Sequence, residues 1–574
     1  MGTLSTATSA LSTAARLLTP PRPVPGAPPR LDQELPVVGH MAEFVRNPFG
    51  LLLRAQNVGH EMIAFRLLLQ DVVLVSGPEA HEAFFRAPDD QLCRREAYKL
   101  MTPIFGEGVV FDAPGPRLDQ QMRMVMKMLR DQRMRGYPPI IQDETRKQVA
   151  SWGAAGEVDL LELMKEVTLY ASSRCLIGDE FRDGMTHEFH EHYGHLEKGI
   201  NPIAYLYPNA PLPSFRRRDE ARRRLVAQVD AIFDRRKREG DRPDDGMQAL
   251  MDARYKDGGR LDAHEITGIF IAIMMAGHHT SAGTAAWTVL ELVRRPELFA
   301  RVRAEVDAHI EPDGSLSYQA LRQMRFLHDV IKEVLRLHPP LIFLFRKVLR
   351  DFSHGGITVP AGSFLCASPG VAHRLGRVFP EPERFDPDRY ARGEDRNPFA
   401  WIAFGGGKHK CTGNAFGLLQ LKAVVATLVH AFDFELAQPD ESYRDNYENA
   451  TVMPWQPCRV RYRERDRSRD ARVSVPVRKR ETLLDRGKPV TVSIDPGLCQ
   501  GHSVCVSELP KVFRVAPSGE AQLLDDAGAL HAGARVYGRD DEGMDEAARD
   551  GLYDALERAY EHCPNAAISL AQDT

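Results

Sequence analysis

Apolar residues recur at three- and four-residue spacing along residues 301–310, 318–337 and 415–432, and each stretch predicts a helix with one face in a core. Between them, residues 62–76 and 356–367 are short and rich in β-branched side chains, which predicts strands. Residues 269–292 are apolar on every face, the pattern of a buried helix, but Ala276-Gly277-His278-His279-Thr280-Ser281 interrupts them. Polar groups on a buried helix cost free energy unless paired or functional, so the interruption marks a candidate site.

The pattern changes towards both ends. Residues 1–30 finish in a proline-rich run that builds neither helix nor sheet, and predict a disordered leader. Helical periodicity dominates residues 31–463. Dense alternating charge over residues 464–488, as in Arg465-Asp466-Arg467-Ser468-Arg469-Asp470, predicts a solvated linker. A strand-like Pro489-Val490-Thr491-Val492-Ser493-Ile494 then opens a small module over residues 489–574. No internal repeat is evident.

Composition adds a division of charge. The 574 residues are 43% hydrophobic and 27% charged, which excludes disordered and fibrous classes. The net charge of −4 excludes a chain built to bind nucleic acid. From Val490 onward, six basic residues face fifteen acidic ones, a net of −9 that leaves +5 for the rest. Eight cysteines without a signal peptide, and an apolar run over residues 266–277 shorter than the roughly 20 residues that span a bilayer, predict a soluble protein of a reducing cytoplasm. The arginine clusters at 216–218, 222–224 and 235–238 read first as solvated helix faces, with membrane contact or docking of an acidic partner as alternatives.

The most specific pattern is Phe404-Gly405-Gly406-Gly407-Lys408-His409-Lys410-Cys411-Thr412-Gly413 ahead of a helical run. A cysteine at a helix N-terminus meets N–H groups and a dipole that favour the thiolate. Glycines let a backbone approach a flat macrocycle, and an axial thiolate on haem iron favours O–O cleavage. The alternative is a buried structural cysteine. The motif resembles the haem-binding loop of the haem-thiolate cytochromes P-450. Glu333-Val334-Leu335-Arg336, with Pro382-Glu383-Arg384-Phe385 further on, resembles that family's buried core network, with Glu333, Arg336 and Arg384 as its members.

Gly277-His278-His279-Thr280-Ser281 resembles one branch, the sterol 14α-demethylases, and Tyr98-Lys99-Leu100-Met101-Thr102-Pro103-Ile104-Phe105-Gly106 resembles that branch's second signature. The resemblance implies proton delivery by His279 and Thr280, and haem-propionate contacts from Tyr98, Arg346 and His409, with Arg117 as a less certain one. It also implies a sterol cavity lined by Tyr98, Leu100, Phe105, Ala276, His279 and Leu341. Because the position three before the loop proline is Leu100, it implies a lanosterol-like substrate.

In the acidic module, Cys499-Gln500-Gly501-His502-Ser503-Val504-Cys505 and the remote Cys563-Pro564 form a metal-site pattern. With His502 at the middle position, Cys499, Cys505 and Cys563 suit a 3Fe-4S cluster. A 4Fe-4S cluster with His502 ligating, or a Cys₃His zinc site, are the rivals. The module resembles the small ferredoxins that serve bacterial haem-thiolate monooxygenases. The expected fold is a mainly α haem-thiolate monooxygenase with small β sheets, followed by a small α+β ferredoxin-like domain. The expected activity is sterol 14α-demethylation with haem b, dioxygen and the fused ferredoxin. An external NAD(P)H-dependent ferredoxin reductase is expected, since no dinucleotide-binding motif is evident. A hydroxylase of another polycyclic terpenoid and a non-catalytic haem sensor or electron-transfer protein are the other readings.

Overall fold

A computed structural model describes residues 26–574 except 185–186, 201–203, 205–207, 467–483, 487, 497–498, 500, 518–519, 526–527, 532, 539–545, 562, 564–566 and 573–574. The leader up to residue 25, Pro564 and most of the charged linker lie outside the described residues. The end of the expected leader is folded rather than disordered. Ala64 donates to the Pro29 carbonyl and Leu31 to the Ala64 carbonyl, both at 2.8 Å, so these residues satisfy their backbone along a strand.

Among the described residues, one compact unit comprises 26–99, 335–406 and 445–453. Its sheet runs in the order Met62–Leu67, Gln70–Val75, Phe364–Ala367, Leu344–Val348, Leu92–Cys93. Gln70–Val75 pairs in parallel with Phe364–Ala367, and the other neighbours are antiparallel. Leu51, Leu52, Phe65, Leu74 and Cys366 form its core.

The other unit comprises residues 100–334, 407–444 and 454–574. Helices α1 (Leu160–Leu176), α2 (Pro213–Glu239), α3 (Ala263–Val293) and α4 (Asn414–Ala431) form its body, with α3 packed on the other three. The polar interruption does not break α3. Its start is fixed by a capping box, in which Asp262 accepts from the Glu265 N–H at 2.8 Å and Glu265 accepts from the Asp262 N–H at 3.3 Å. A Cβ at Gly268 would stand 2.0 Å from the Phe105 carbonyl, so only glycine lets α3 lie this close to the loop at 98–112. Residues 318–337 form two helices, Tyr318–Gln323 and Arg325–Leu337, because Met324 turns out of the helical region at ψ 79°.

Among the described residues one helix, α4, is long and apolar enough to cross a membrane, and 72% of it is buried inside the fold. The arginine clusters are not simply solvated. Arg218 and Arg236 are buried, Arg236 on Asp245 at 2.6 Å.

Within the same unit, residues 484–572 build a small α+β module. One three-stranded sheet is ordered Arg535–Tyr537, Val490–Ile494, Ile568–Ala571, and another Phe513–Val515, Ala521–Leu524, Leu530–His531. With α5 (Val504–Glu508) and α6 (Glu546–Glu561) they enclose Val490, Val492, Phe513, Leu523, Tyr553 and Leu556. Leu484, placed in the linker by its sequence, is buried in that core.

Candidate active site

The thiolate loop is shaped by close approach. A Cβ at Gly406 would lie 2.9 Å from the Phe85 ring and 3.3 Å from Phe399, so the backbone runs flat against the stacked pair Phe85–Phe399. Gly407–His409 form a 3₁₀ turn that carries His409, and Cys411 follows immediately before α4. Desolvation by the surrounding loop raises the Cys411 thiol above its ordinary pKa, although the residue is exposed, while a backbone hydrogen bond from Gly413 and the charge of Lys410 pull it down. Both opposing contributions act on the thiolate, the form that ligates iron.

In the unit that holds residues 26–99, Tyr98 accepts from the Phe345 N–H at 3.2 Å, and Arg346 lies over the Phe84 ring. A third residue belongs with them. Arg94 is desolvated and faces the charge of Arg346, and together these lower its pKa to about 10. Desolvation also lowers Arg346 and raises Tyr98. Two buried guanidiniums that repel one another suit a dianionic ligand. Within their own unit they fit the two carboxylates of an iron porphyrin. Arg94 lies one turn before Tyr98, and that spacing is the signal in the sequence that could have found it.

The Arg117 guanidinium pairs with Glu265 at 2.6 Å and lies 4.2 Å from the Tyr255 ring, near the start of α3. Asp119 pairs with Lys408 of the thiolate loop at 3.2 Å.

On α3, Thr280 donates its hydroxyl to the Ala276 carbonyl, Thr284 to Thr280 and Thr288 to Thr284. His278 is buried, and its carbonyl accepts from Thr168 at 3.3 Å. His279 instead places Nδ1 3.1 Å from a carboxylate oxygen of Glu197, on the helix His187–Glu197. Burial raises the Glu197 carboxyl to about 7, against the nearby Tyr193 hydroxyl and Lys165 ammonium. Glu197 is far away in the sequence and has no motif of its own. The pair can exchange a proton near neutrality.

The expected sterol contacts divide. Leu100 is 2% exposed and packs with Ala204 and Phe215, and Phe105 is buried and stacked on Phe111. Arg222 holds the Phe105 carbonyl at 2.8 Å. Ala276 is exposed, and Leu341, in the other unit, is 40% exposed.

The buried network also needs correction. Arg384 is not in it: its side chain is 63% exposed and pairs with Glu381 three residues earlier. The buried arginine is Arg389, which donates to the Arg384 carbonyl at 3.1 Å and the Pro380 carbonyl at 3.2 Å and pairs with Glu394. Arg336 donates to the same Arg384 carbonyl at 3.0 Å and to the His373 carbonyl at 2.9 Å. Glu333 is fully buried. In Pro382-Glu383-Arg384-Phe385-Asp386-Pro387-Asp388-Arg389, two arginines stand at similar places, and only burial tells them apart.

In the C-terminal module, Cys499, Cys505 and Cys563 surround one side of the core. Cys499 Sγ accepts from the Ala521 N–H at 3.2 Å and Cys563 Sγ from the Ala567 N–H at 3.3 Å. Burial, together with the neighbouring Cys563 and Cys499, pushes the Cys505 thiol up to about 12. Among the described residues no three His, Cys, Asp or Glu side chains converge on a single metal ion. His502 turns away, its Nε2–H donating to the Thr412 carbonyl at 3.3 Å.

A helical body with small sheets, a cysteine in a glycine-lined loop ahead of a core helix, and a polar turn in the helix α3 define a haem-thiolate monooxygenase. The cytochrome P450 profile matches residues 28–461, and the profile of a 4Fe-4S single cluster domain matches residues 492–570. A sterol 14alpha-demethylase of Mycolicibacterium vanbaalenii is 43% identical over 438 residues, which cover 75% of this chain and 96% of that protein. One of Mycobacterium tuberculosis is 45% identical over 434 residues, 74% of this chain and 96% of that protein. A sterol 14-demethylase of Arabidopsis thaliana is 35% identical, with 72% and 86% covered. A solved retinoic acid-bound cyanobacterial CYP120A1 shares the fold, with a TM-score of 0.68 at 22% identity over 77% of this chain and 100% of that one. The chain belongs to the cytochrome P450 family and, within it, to the sterol 14α-demethylases, with a ferredoxin-type iron–sulfur domain at its C-terminal end.

Proposed function

We propose that this enzyme removes the 14α-methyl group of a lanosterol-like sterol in three successive oxygenations, through alcohol and aldehyde to formate and a C14–C15 double bond. The ferredoxin module supplies the electrons one at a time. The observation that carries this reading is Cys411 in its glycine-lined loop, in a chain 43–45% identical to sterol 14α-demethylases. Bound through Cys411, haem b supplies dioxygen activation.

The protein's own residues do the rest. Tyr98, Arg346, His409 and Arg94 anchor the propionates. Each oxygenation consumes one dioxygen, two electrons and two protons. Glu197 and His279 pass those protons to Thr280, whose hydroxyl sits one turn from Ala276 on α3. Tyr98, Leu100, Phe105, Ala276, His279 and Leu341 contact the sterol, and the Leu100 side chain leaves space for a second C4 methyl. Glu333, Arg336 and Arg389 hold the fold.

Cys499, Cys505 and Cys563 hold a 3Fe-4S cluster, a reading supported by His502 being turned onto Thr412. An external NAD(P)H-dependent ferredoxin reductase feeds that cluster. The haem-thiolate monooxygenase domain, expected at residues 31–463, extends back to Pro29, the ferredoxin domain, expected at 489–574, takes in Leu484, and the enzyme works in the cytoplasm with at most peripheral membrane contact. Incubating the holoenzyme, a reductase and NADPH with lanosterol and other polycyclic terpenoids, and reading products by mass, tests the assignment. A 14α-demethylated sterol with formate is expected, whereas a stable alcohol on another terpenoid would favour a simple hydroxylase.

A further inference from the structure

The iron–sulfur module meets the helical body at residues that the catalytic reading does not use. His502 occupies the position midway between Cys499 and Cys505 and is 4% exposed. Its Nε2–H reaches the carbonyl of Thr412, the residue next to Cys411, at 3.3 Å. Its own carbonyl accepts from the Asp131 N–H at 3.2 Å. Asp131 is itself locked, since its carboxylate accepts from the Tyr318 hydroxyl at 2.6 Å and pairs with Arg135 at 2.8 Å. Ser503 follows at φ +65°, in the left-handed region that non-glycine residues seldom adopt, and this turn presents His502 at the tip of its loop.

A second contact stands apart from the first. Glu508, at the end of α5, pairs with Arg322 of the helix Tyr318–Gln323 at 2.6 Å. The two side chains are only 10% and 13% exposed, so the pair is largely desolvated. On its own module, Arg558 holds the same carboxylate at 3.0 Å.

We infer that His502–Thr412 and Glu508–Arg322 form a built-in docking surface that seats the cluster loop on the thiolate loop, with His502 as the electron bridge. The electron leaves the reduced cluster and enters ferric haem, reducing it to ferrous, and the external reductase replaces it. One hydrogen bond then joins the two ligand loops: His502 is three residues from Cys499 and Cys505, and Thr412 is bonded to Cys411. The position that would hold a further cluster cysteine serves contact instead. Glu508–Arg322 sets the register, since a buried ion pair tolerates little misplacement.

This inference rests on the electron-carrier reading of the module but needs no sterol, so the experiment omits sterol. Full-length holoenzyme is mixed anaerobically with NADPH and a catalytic ferredoxin reductase under carbon monoxide, and the ferrous–CO band near about 450 nm is timed. Wild-type rates should be independent of enzyme dilution. Arg322→Glu should slow the band at least tenfold, and adding Glu508→Arg should recover most of the rate, with iron content and the dithionite-reduced CO band unchanged. His502→Ala should slow it similarly, while His502→Gln, which keeps an N–H donor, should lose less. If His502→Ala loses its cluster, the Arg322 and double-swap pair decides. Wild-type rates in Arg322→Glu, or no rescue by the swap, would overturn the docking surface. A sterol that fails to turn over while these rates hold would count only against the demethylase reading.

Discussion

The two cysteine sites of this chain solve the same electrostatic problem in different ways. Cys411 is a lone thiol whose N–H support and neighbouring cation come from its own loop, from Gly413 and Lys410. The cluster cysteines come from two remote segments and take N–H groups from Ala521 and Ala567, and burial, with the neighbouring Cys563 and Cys499, raises the Cys505 thiol to about 12. In both sites the net effect of desolvation keeps the free thiols protonated, and the sulfurs become anionic only when iron joins them, as metal binding displaces protons. The support of the haem thiolate is therefore local, whereas the cluster site is made by the fold.

The largest effect should come from separating the two. Cys411→Ser should abolish the ferrous–CO band near about 450 nm and all turnover, yet leave the iron–sulfur spectrum intact. Cys505→Ala should do the reverse: no cluster iron and no NADPH-driven turnover, with a normal CO band after chemical reduction. Loss of both signals in either variant would mean that the sites fold as one.

Next in size is the buried network. Removing Arg389 breaks its buried pair with Glu394 and takes one donor from the Pro380 and Arg384 carbonyls, which costs about 3–5 kcal/mol by analogy with broken buried pairs. Arg384→Ala removes an exposed pair with Glu381 and should change stability by less than about 1 kcal/mol. Denaturant midpoints of the two variants check the contrast, and equal shifts would restore Arg384 to the core.

The proton relay should give an intermediate effect. Glu197→Gln and His279→Ala should each lower turnover by about 10²-fold with the CO band retained, the lower range for general acid–base groups. Burial raises Glu197 to about 7, so its neutral form is favoured in the fold. As pH rises through that value the proton is lost and turnover should fall. Glu197→Gln should lack this limb. By the same linkage, the stability gained from the protonated carboxyl falls as pH climbs from the ordinary glutamate value towards 7, and the variant should not show that slope.

These contrasts also show what the sequence could reveal. The thiolate loop, the loop at 98–112 and the polar turn of α3 are each contiguous in sequence, so their resemblance to family motifs could be seen there. The helices and the paired strands around 62–76 follow from periodicity, although Met324 breaks one expected helix without a glycine or proline to mark it. Glu197, Arg389 and the end of the leader were not legible. Each is decided by a partner distant in sequence or by burial, neither of which leaves a local pattern. The Arg117 pair with Glu265, which spans well over a hundred residues, left no local pattern either.

The smallest effect, and the finest test of the haem-side pocket, concerns Leu100. It packs with Ala204 and Phe215 and is 2% exposed, so its volume is felt by whatever lies against that cluster. A phenylalanine there would fill space that a second C4 methyl needs. One methylene in an apolar pocket is worth only about 1–3 kcal/mol, so the expected outcome is a shift of preference. In competition, the wild type should favour lanosterol over a C4-monomethyl sterol by roughly 10-fold or more, and Leu100→Phe should reduce or invert that ratio. The cluster site offers a control: Leu100→Phe should leave cluster-to-haem reduction under carbon monoxide at the wild-type rate. If the sterol ratio does not move while the CO band and fold persist, Leu100 packs the loop and the C4 preference is set elsewhere.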